Sequence, residues 1–421
     1  MLNPPTPASE RIRMVYLSAS GQMGGAETCL IDILAVIRQA RPQWRAAVVL
    51  AEDGPLAARA RAHGAEVHVL PFPSALARLG DSGQRGHATI ASQVAFSAPS
   101  VLRYRAQLRS LLAGLQPDLV HSNGFKMHVL GALAKPECAA LVWHIHDYIS
   151  SRAMMARLMR RLTARADLII ANSRHVAEDT RKVFGEGPKI VPILNVVDLA
   201  EFTPEGPALD LDGISGLPPA PDGTVRVGLI ATLAWWKGHR LFLRGLASLD
   251  PALPVRGYYI GGALYKTQSQ ESLDELRRVA LEFGIGGRVG FTGVVSEPAA
   301  AMRALDLLVH TSTEPEPFGR VIVEAMACEK PVITTGLGGA AEILSLGDCA
   351  LTIDPAEPEP LANAIAKLAS NAALRRRLGG NGLSTARAYF TRERLAQELP
   401  QVYEEVLSRV HGRKSNGVTD G

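Results

Sequence analysis

Two glutamates, Glu316 and Glu324, bracket seven residues in TEPEPFGRVIVEAMA (Thr313 to Ala327), directly after the apolar run LLVHTS. Phe318-Gly319 marks where a turn gives way to a helix that starts near Gly319 and carries Val321, Ile322 and Val323. The free N–H groups and positive dipole end of such a helix point out of the carboxyl edge of the preceding sheet, where an anionic phosphate binds. Glu316 then precedes the opening and Glu324 sits about one turn inside it. Carboxylates so placed accept hydrogen bonds from sugar hydroxyls, one from a hexose and one from the ribose of a nucleotide. A capping acid plus a solvated helix glutamate is the plainer reading; the position at the ligand-binding edge of an open α/β sheet favours the first. Glu314 reads as a surface acid.

Further segments hold candidate chemistry. GQMGGAE (Gly21 to Glu27) follows MVYLSAS and supplies glycines that let backbone approach a ligand closely at a helix start. Its spacing, Gly21, Gly24, Gly25, is not the Gly-x-Gly-x-x-Gly of dinucleotide enzymes, which counts against NAD; a plain tight turn is the alternative. His144 and His146 share a face of one strand because side chains repeat every two residues. A zinc set of His144, His146 and Asp147 lacks a matching third-ligand spacing, and His144 reads as a satisfied core histidine. ATLAWWKGH follows the run RVGLI and offers Lys237 as a cation, with Trp235 and Trp236 expected to pack beneath the loop. Cys29, Cys138, Cys328 and Cys349 lie far apart with no Cys-x-x-Cys, so they read as buried free thiols rather than a disulfide framework or a zinc site.

Elements able to position these residues are visible as short β-rich apolar runs between stretches of helical spacing. Seven lie in the first half: MVYLSAS, AAVVLA, EVHVLPF, DLVHSN, ALVWHIH, DLIIANS and KIVPILN. Six lie in the second: RVGLIATL, VRGYYIGG, RVGFTG, LLVHTS, PVITTG and CALTID. Near-continuous apolar runs suit strands covered on both faces, and their alternation with helices predicts an α/β protein of two Rossmann-like βαβ domains with parallel sheets. The boundaries expected are residues 1–205, a linker at 206–224, and 225–390, with a last helix from 391 that kinks at Pro400 and crosses back to the first domain before a frayed tail at 411–421. The stretch 203–224 holds four glycines and five prolines in 22 positions, a composition read as unable to sustain a helix or central strand. Residues 73–100, rich in Ala, Ser and Gly, read as a long loop at a sheet end.

With 47% hydrophobic and 20% charged residues, the 421-residue chain can bury large cores and is not disordered as a whole. No apolar run approaches the roughly 18 residues of a membrane span, and the Pro-rich start lacks a secretory core, so the expectation is a cytoplasmic protein. Residues 1–200 carry 23 Lys and Arg against 15 Asp and Glu, while the remainder is net acidic. A basic half suggests attraction to anionic lipid or glycan; no aromatic-and-basic motif accompanies it, so nucleic acid is set aside. RAMMARLMRRLTAR (Arg152 to Arg165) has the spacing of an amphipathic helix, read as a solvated basic face over a buried stripe in preference to membrane contact by that helix alone.

The pattern Glu, seven residues, Glu with Phe-Gly inside resembles the retaining glycosyltransferases of the GT-B fold, in particular family 4. GGAE at Gly24, WHIHD at Trp143, ANS at Ala171, NVVDLAEF at Asn195, WWKGH at Trp235, TGVV at Thr292 and GLGGAAEI at Gly336 resemble family segments in order. The resemblance implies two domains facing each other across a cleft, with donor on the second and acceptor on the first. It implies transfer of a hexose from a UDP- or GDP-linked sugar to a glycan or lipid-linked acceptor with retention of configuration, in cell-surface polysaccharide or glycoconjugate synthesis. Peripheral contact with the anionic inner membrane surface goes with a lipid-linked acceptor. No cofactor and no metal are expected, since protein cations replace the metal. By the same resemblance, His146 contacts the donor sugar, the backbone at Gly25 faces the distal phosphate, and Lys237 neutralises the diphosphate. Val294 reads the base through backbone, and Gly338-Gly339 lie beside the sugar. His146, Lys237 and Glu316 are the expected catalytic residues, with Phe318, Gly319, Arg320 and Glu324 completing the donor site. The sequence departs from the family where an Arg is usual five residues before the Lys: here it is Thr232, leaving Arg320, Lys266 or His239 to compensate, or activity low. A silent sugar-nucleotide binder and a nucleotide-sugar epimerase of the same fold are the competing readings.

Overall fold

A computed structural model of the chain describes residues 11–74, 87–263 and 270–416. The chain divides into two compact units, one formed by residues 1–195 with 392–421 and the other by 196–391.

In the first unit, seven strands form a sheet: β1 (Arg13–Ser18), β2 (Arg45–Leu50), β3 (Glu66–Val69), β4 (Leu119–Asn123), β5 (Ala140–Ile145), β6 (Leu168–Ala171) and β7 (Ile190–Pro192). They lie in the order β3-β2-β1-β4-β5-β6-β7, and every ladder is parallel. Parallel strands need helical crossovers, so both faces are covered; accordingly β4, β5 and β6 are buried at every position. Each fully buried Leu, Ile or Phe side chain contributes about 1.5–3 kcal/mol, and Trp143, Tyr16 and Leu17 lie among the fully buried side chains here. Helix Arg392–Asn416 belongs to this unit and packs on helix Gly25–Ala40, with Arg392 donating to Asp32 and Tyr403 hydrogen-bonded to His121 of β4.

The second unit has a six-stranded parallel sheet ordered β10-β9-β8-β11-β12-β13: β8 (Val225–Ile230), β9 (Val255–Ile260), β10 (Val289–Gly293), β11 (Leu307–His310), β12 (Val332–Thr334) and β13 (Ala350–Thr352). All thirteen apolar runs are strands, and the two parallel sheets are the Rossmann-like pair the alternation predicts.

Three expectations are corrected. The Gly- and Pro-rich stretch 203–224 contains a short helix, Leu211–Ser215, capped by Asp210 accepting from the Gly213 amide. Tertiary bonds override its composition: the buried Asp212 carboxylate accepts from Arg256, Tyr258 and Arg226 of the neighbouring strands, which makes the segment part of the second unit. Residues 73–100 are not a loop throughout, because a helix runs His87–Leu115, while 75–86 lie outside the described residues; alanines, good helix formers, outnumber the loop-forming serines in this stretch, six to five. Finally, residues 411–416, expected to belong to a frayed tail, lie in helix Arg392–Asn416, which holds Pro400 inside it as the sequence reading has it.

Candidate functional site

In the second unit, β11 ends in His310 and runs into Thr311, Ser312 and the loop that carries Glu316. Gly319, at φ +96°, caps helix Arg320–Ala327, a conformation that a side chain would strain. The segment after β8 brings Lys237 to the same place. Gly238 turns at φ +72°, and a Cβ on it would lie 2.0 Å from the Thr311 carbonyl oxygen, so only glycine lets this turn lie against the end of β11. Thr311 fixes the approach by donating to the Lys237 carbonyl at 3.0 Å.

Lys237 Nζ donates to both oxygens of Glu316, at 2.8 and 2.7 Å. Ser312 Oγ donates to Glu316 Oε2 at 2.9 Å, and His310 Nε2 lies 3.3 Å from the same oxygen. The other ring nitrogen of His310 meets Thr334 Oγ1 at 3.1 Å. The Glu316 side chain is only 13% exposed. Burial alone would raise its pKa, but the Lys237 charge and the His310 contact outweigh it and hold the carboxyl well below the usual range. Sequence reasoning missed His310 and Ser312, although their spacing of two, at the end of an apolar strand, puts them on one face.

Gly338 and Gly339 lock the glutamate loop. Gly339 N–H donates to the Glu316 carbonyl at 2.6 Å, and the Glu316 N–H donates to Leu337. Gly338 has φ +66°, and a Cβ on Gly339 would sit 2.3 Å from the Pro317 carbonyl oxygen. Phe318 is 3% exposed, with its ring 5.9 Å from that of Phe390, so its side chain anchors the loop in the core. At the helix opening, Arg320 pairs with Glu324 at 3.5 Å and donates to the Val196 carbonyl.

Of the residues named to compensate for Thr232, which is itself half-buried, His239 does not qualify. It is 1% exposed and bonded to the Ala234 carbonyl, and burial, with the Lys237 charge beside it, pushes its pKa down to about 4. A neutral imidazole cannot offset a diphosphate. Lys266 lies outside the described residues. Trp235, expected to pack, is instead 51% exposed, edge-to-face with Trp236. Val294 is exposed at the carboxyl end of β10, past Gly293 at φ +70°.

In the first unit, His146 follows β5. Its Nε2 lies 2.8 Å from Oδ1 of Asn123, the last residue of β4, and its carbonyl accepts from Asn172 after β6. The ANS segment thus supports His146 through Asn172, while Ser173 caps helix Arg174–Phe184 by accepting from Val176 N–H. Gly25 opens helix Gly25–Ala40; Glu27, nearly buried and raised in pKa by that burial, caps it by accepting from Gly24 N–H. His144 is buried, but neither ring nitrogen has a hydrogen-bond partner among the described residues, which corrects its reading as a satisfied core histidine. Cys29, Cys328 and Cys349 are buried thiols; Cys138 is exposed. No helix among the described residues is long and apolar enough to cross a membrane.

The family model for glycosyl transferases group 1 matches residues 218–385, and that for Glycosyltransferase Family 4 matches residues 55–201. The lipopolysaccharide core biosynthesis mannosyltransferase LpcC of Rhizobium leguminosarum bv. viciae is 31% identical over 58% of this chain and 66% of its own length. The D-inositol 3-phosphate glycosyltransferase of a Nocardioides species is 27% identical over 70% of this chain and 68% of its own length. The chain thus spans about two thirds of these curated relatives, and as little as 31% of another. The crystal structure of Anabaena Alr3699/HepE in complex with UDP and glucose superposes with a TM-score of 0.76 at 28% identity, covering 94% of this chain and all of that one. With matched models in both units and a parallel-sheet fold shared with that structure, the chain belongs to the GT-B glycosyltransferases of the family-4 type.

Proposed function

We propose that the protein transfers a hexose from a nucleotide diphosphate sugar to a glycan or lipid-linked acceptor, with retention of configuration and without a metal. The observation that carries this reading is the Lys237–Glu316 pair set against the opening of helix Arg320–Ala327. Two of the three ammonium protons of Lys237 are committed to Glu316, leaving the third for a phosphate oxygen. Its charge stabilises the leaving diphosphate, which becomes more anionic in the transition state, and the positive dipole end of helix Arg320–Ala327 adds a second electropositive source. Glu316 already accepts from Lys237 and Ser312, so its role is to hold the lysine and accept from a sugar hydroxyl, not to attack the anomeric carbon. Glu324 accepts from the ribose, and the Val294 backbone reads the base. The similar Anabaena structure binds UDP and glucose, which favours a UDP-linked donor.

The lipopolysaccharide relative favours a lipid-linked acceptor. So does helix Ala153–Leu162, on which Met154 and Leu158 are exposed beside Arg157 and Arg161, although Ala156 and Met159 keep part of the expected buried apolar stripe. Failure to bind anionic liposomes at low salt, where attraction is strongest, would count against membrane contact. Thermal shift of the purified chain against UDP- and GDP-sugars and NAD tests the donor, since a ligand at 100 times its dissociation constant stabilises by about 2.7 kcal/mol. Turnover with lipid-linked acceptors then tests transfer. Thr232 favours a second reading, a sugar-nucleotide binder without turnover, for which the shift appears and no product forms.

A further inference from the structure

The first unit buries a cluster of soft and borderline metal-binding groups. Cys29 on helix Gly25–Ala40, His144 at the end of β5 and His146 just beyond it each present one ligand atom, and the three atoms lie within 4.8 Å of one another. The two imidazoles stand with ring centroids 4.0 Å apart. His144 is 3% exposed, yet both ring nitrogens lack a hydrogen-bond partner among the described residues. A buried imidazole normally spends its N–H and its lone pair on partners, so its orphaned nitrogens, beside a thiol and a second imidazole, call for a ligand.

The groups around the three residues match what metal ligands need. Ligating histidines commonly give their second ring nitrogen to an amide or carboxylate that fixes the ring, and Asn123 Oδ1 already holds His146 at 2.8 Å. The Cys29 thiol donates to Asn195 Oδ1 at 3.1 Å, a bond given up when the thiol proton is lost to solvent. His146 is half-buried, which leaves a route for an ion to enter. One thiolate and two imidazoles suit zinc, which takes three protein ligands at about 2.0–2.3 Å and leaves a fourth position for water. Asp147, named with the two histidines in the sequence reading, is not in the cluster; its carboxylate accepts from the Tyr148 N–H and pairs with Arg152.

We propose that the first unit binds one zinc ion through Cys29 Sγ, His144 and His146. The ion binds by contraction of a cluster already assembled, with loss of the thiol proton to solvent. With Asn123 on one ring nitrogen of His146, the ion takes the other, so zinc and the donor contact that the family resemblance gives His146 exclude each other; the spectroscopic and crystallographic readouts decide the metal without reference to transfer.

The test uses the full chain with the exposed thiol removed (Cys138→Ser), stripped by chelator and titrated with Co²⁺ as the optical probe for zinc. The expected result is one Co²⁺ per chain, with a thiolate-to-cobalt charge-transfer band and the intense visible bands of tetrahedral coordination, all displaced by Zn²⁺. Adding Cys29→Ser removes the charge-transfer band, and His144→Gln weakens affinity by at least about tenfold. No charge-transfer band, or one that survives Cys29→Ser, overturns the site. Should either variant fail to fold, anomalous diffraction at the zinc edge from soaked crystals of the unaltered chain decides: a peak bounded by Cys29, His144 and His146 supports the site, and a peak elsewhere or none overturns it.

Discussion

Lys237 Nζ reaches both carboxylate oxygens of Glu316, at 2.8 and 2.7 Å, although the two residues are 79 positions apart in the chain. Removing one member of a largely buried pair leaves an uncompensated charge, costing about 3–5 kcal/mol, whereas removing both costs far less. Lys237→Met should therefore lower Tm markedly, and Lys237→Met with Glu316→Gln should recover most of the loss. Transfer should stay depressed in both, by about 10²–10³-fold, because the diphosphate has lost its cation. Recovery of transfer along with stability in the double variant would show that the pair is structural only.

The same pair carries a pH signature. The folded-state pKa of Glu316 is held below its unfolded value of about 4.3. Its contribution is thus fully present above about pH 5 and is lost as pH falls through the unfolded value toward the folded one. The Tm difference between the unaltered chain and Glu316→Gln should be largest near neutrality and shrink below about pH 4. A difference that grows on acidification would reverse the sign and reject the pairing.

His239 should behave in the complementary way. Its pKa of about 4 lies below the unfolded 6.5, so its contribution to stability is full above about pH 6.5 and declines as pH falls toward 4. Imidazole resonances in a proton NMR titration should show His239 uncharged from pH 8 to 5. A midpoint near 6.5 would restore it as a candidate phosphate cation.

How much of this was legible beforehand follows from the kind of interaction involved. The strands were readable because a parallel sheet covered on both faces needs continuous apolar runs, and thirteen such runs stand in the chain. Glu316, Glu324 and Lys237 were readable as chemistry because charged residues next to such strand ends need a reason to be there. The support of Glu316 by His310 and Ser312 depends on which strand face turns toward the loop, and the packing of Gly339 on Pro317 depends on a contact between segments 22 residues apart. Neither is a local property. The helix Leu211–Ser215 was hidden for the same reason, since Asp212 finds its partners on β8 and β9. Cys29 joins His144 and His146 only through the docking of a helix more than a hundred residues away in sequence.

Thr232 invites a gain rather than a loss. A guanidinium placed there adds charge-assisted bonds to the diphosphate, each about twice as strong as a neutral hydrogen bond. Thr232→Arg should lower the Kd for a UDP-sugar by about tenfold, one such bond being about 1.4 kcal/mol, as measured by calorimetry. An unchanged or weaker affinity would mean that the second cation is already supplied, with Arg320 the first place to look.

The last expectation separates positioning from chemistry. Gly339→Ala places a Cβ 2.3 Å from the Pro317 carbonyl oxygen, a backbone atom that cannot swing aside, so the loop carrying Glu316 must shift. A displacement of about 1 Å at a reacting centre costs about 10²-fold in rate, so transfer should fall by that order while Glu316, Lys237 and Ser312 are all still present. Gly380→Ala is the matched control, because its added Cβ meets nothing closer than a glutamate side-chain oxygen at 3.8 Å within helix Ala372–Tyr389. Alanine there should stabilise the chain by about 0.4–1 kcal/mol and leave transfer alone. If Gly339→Ala also leaves transfer alone while Tm drops, the glycine serves packing only and Glu316 does not depend on that loop for its position.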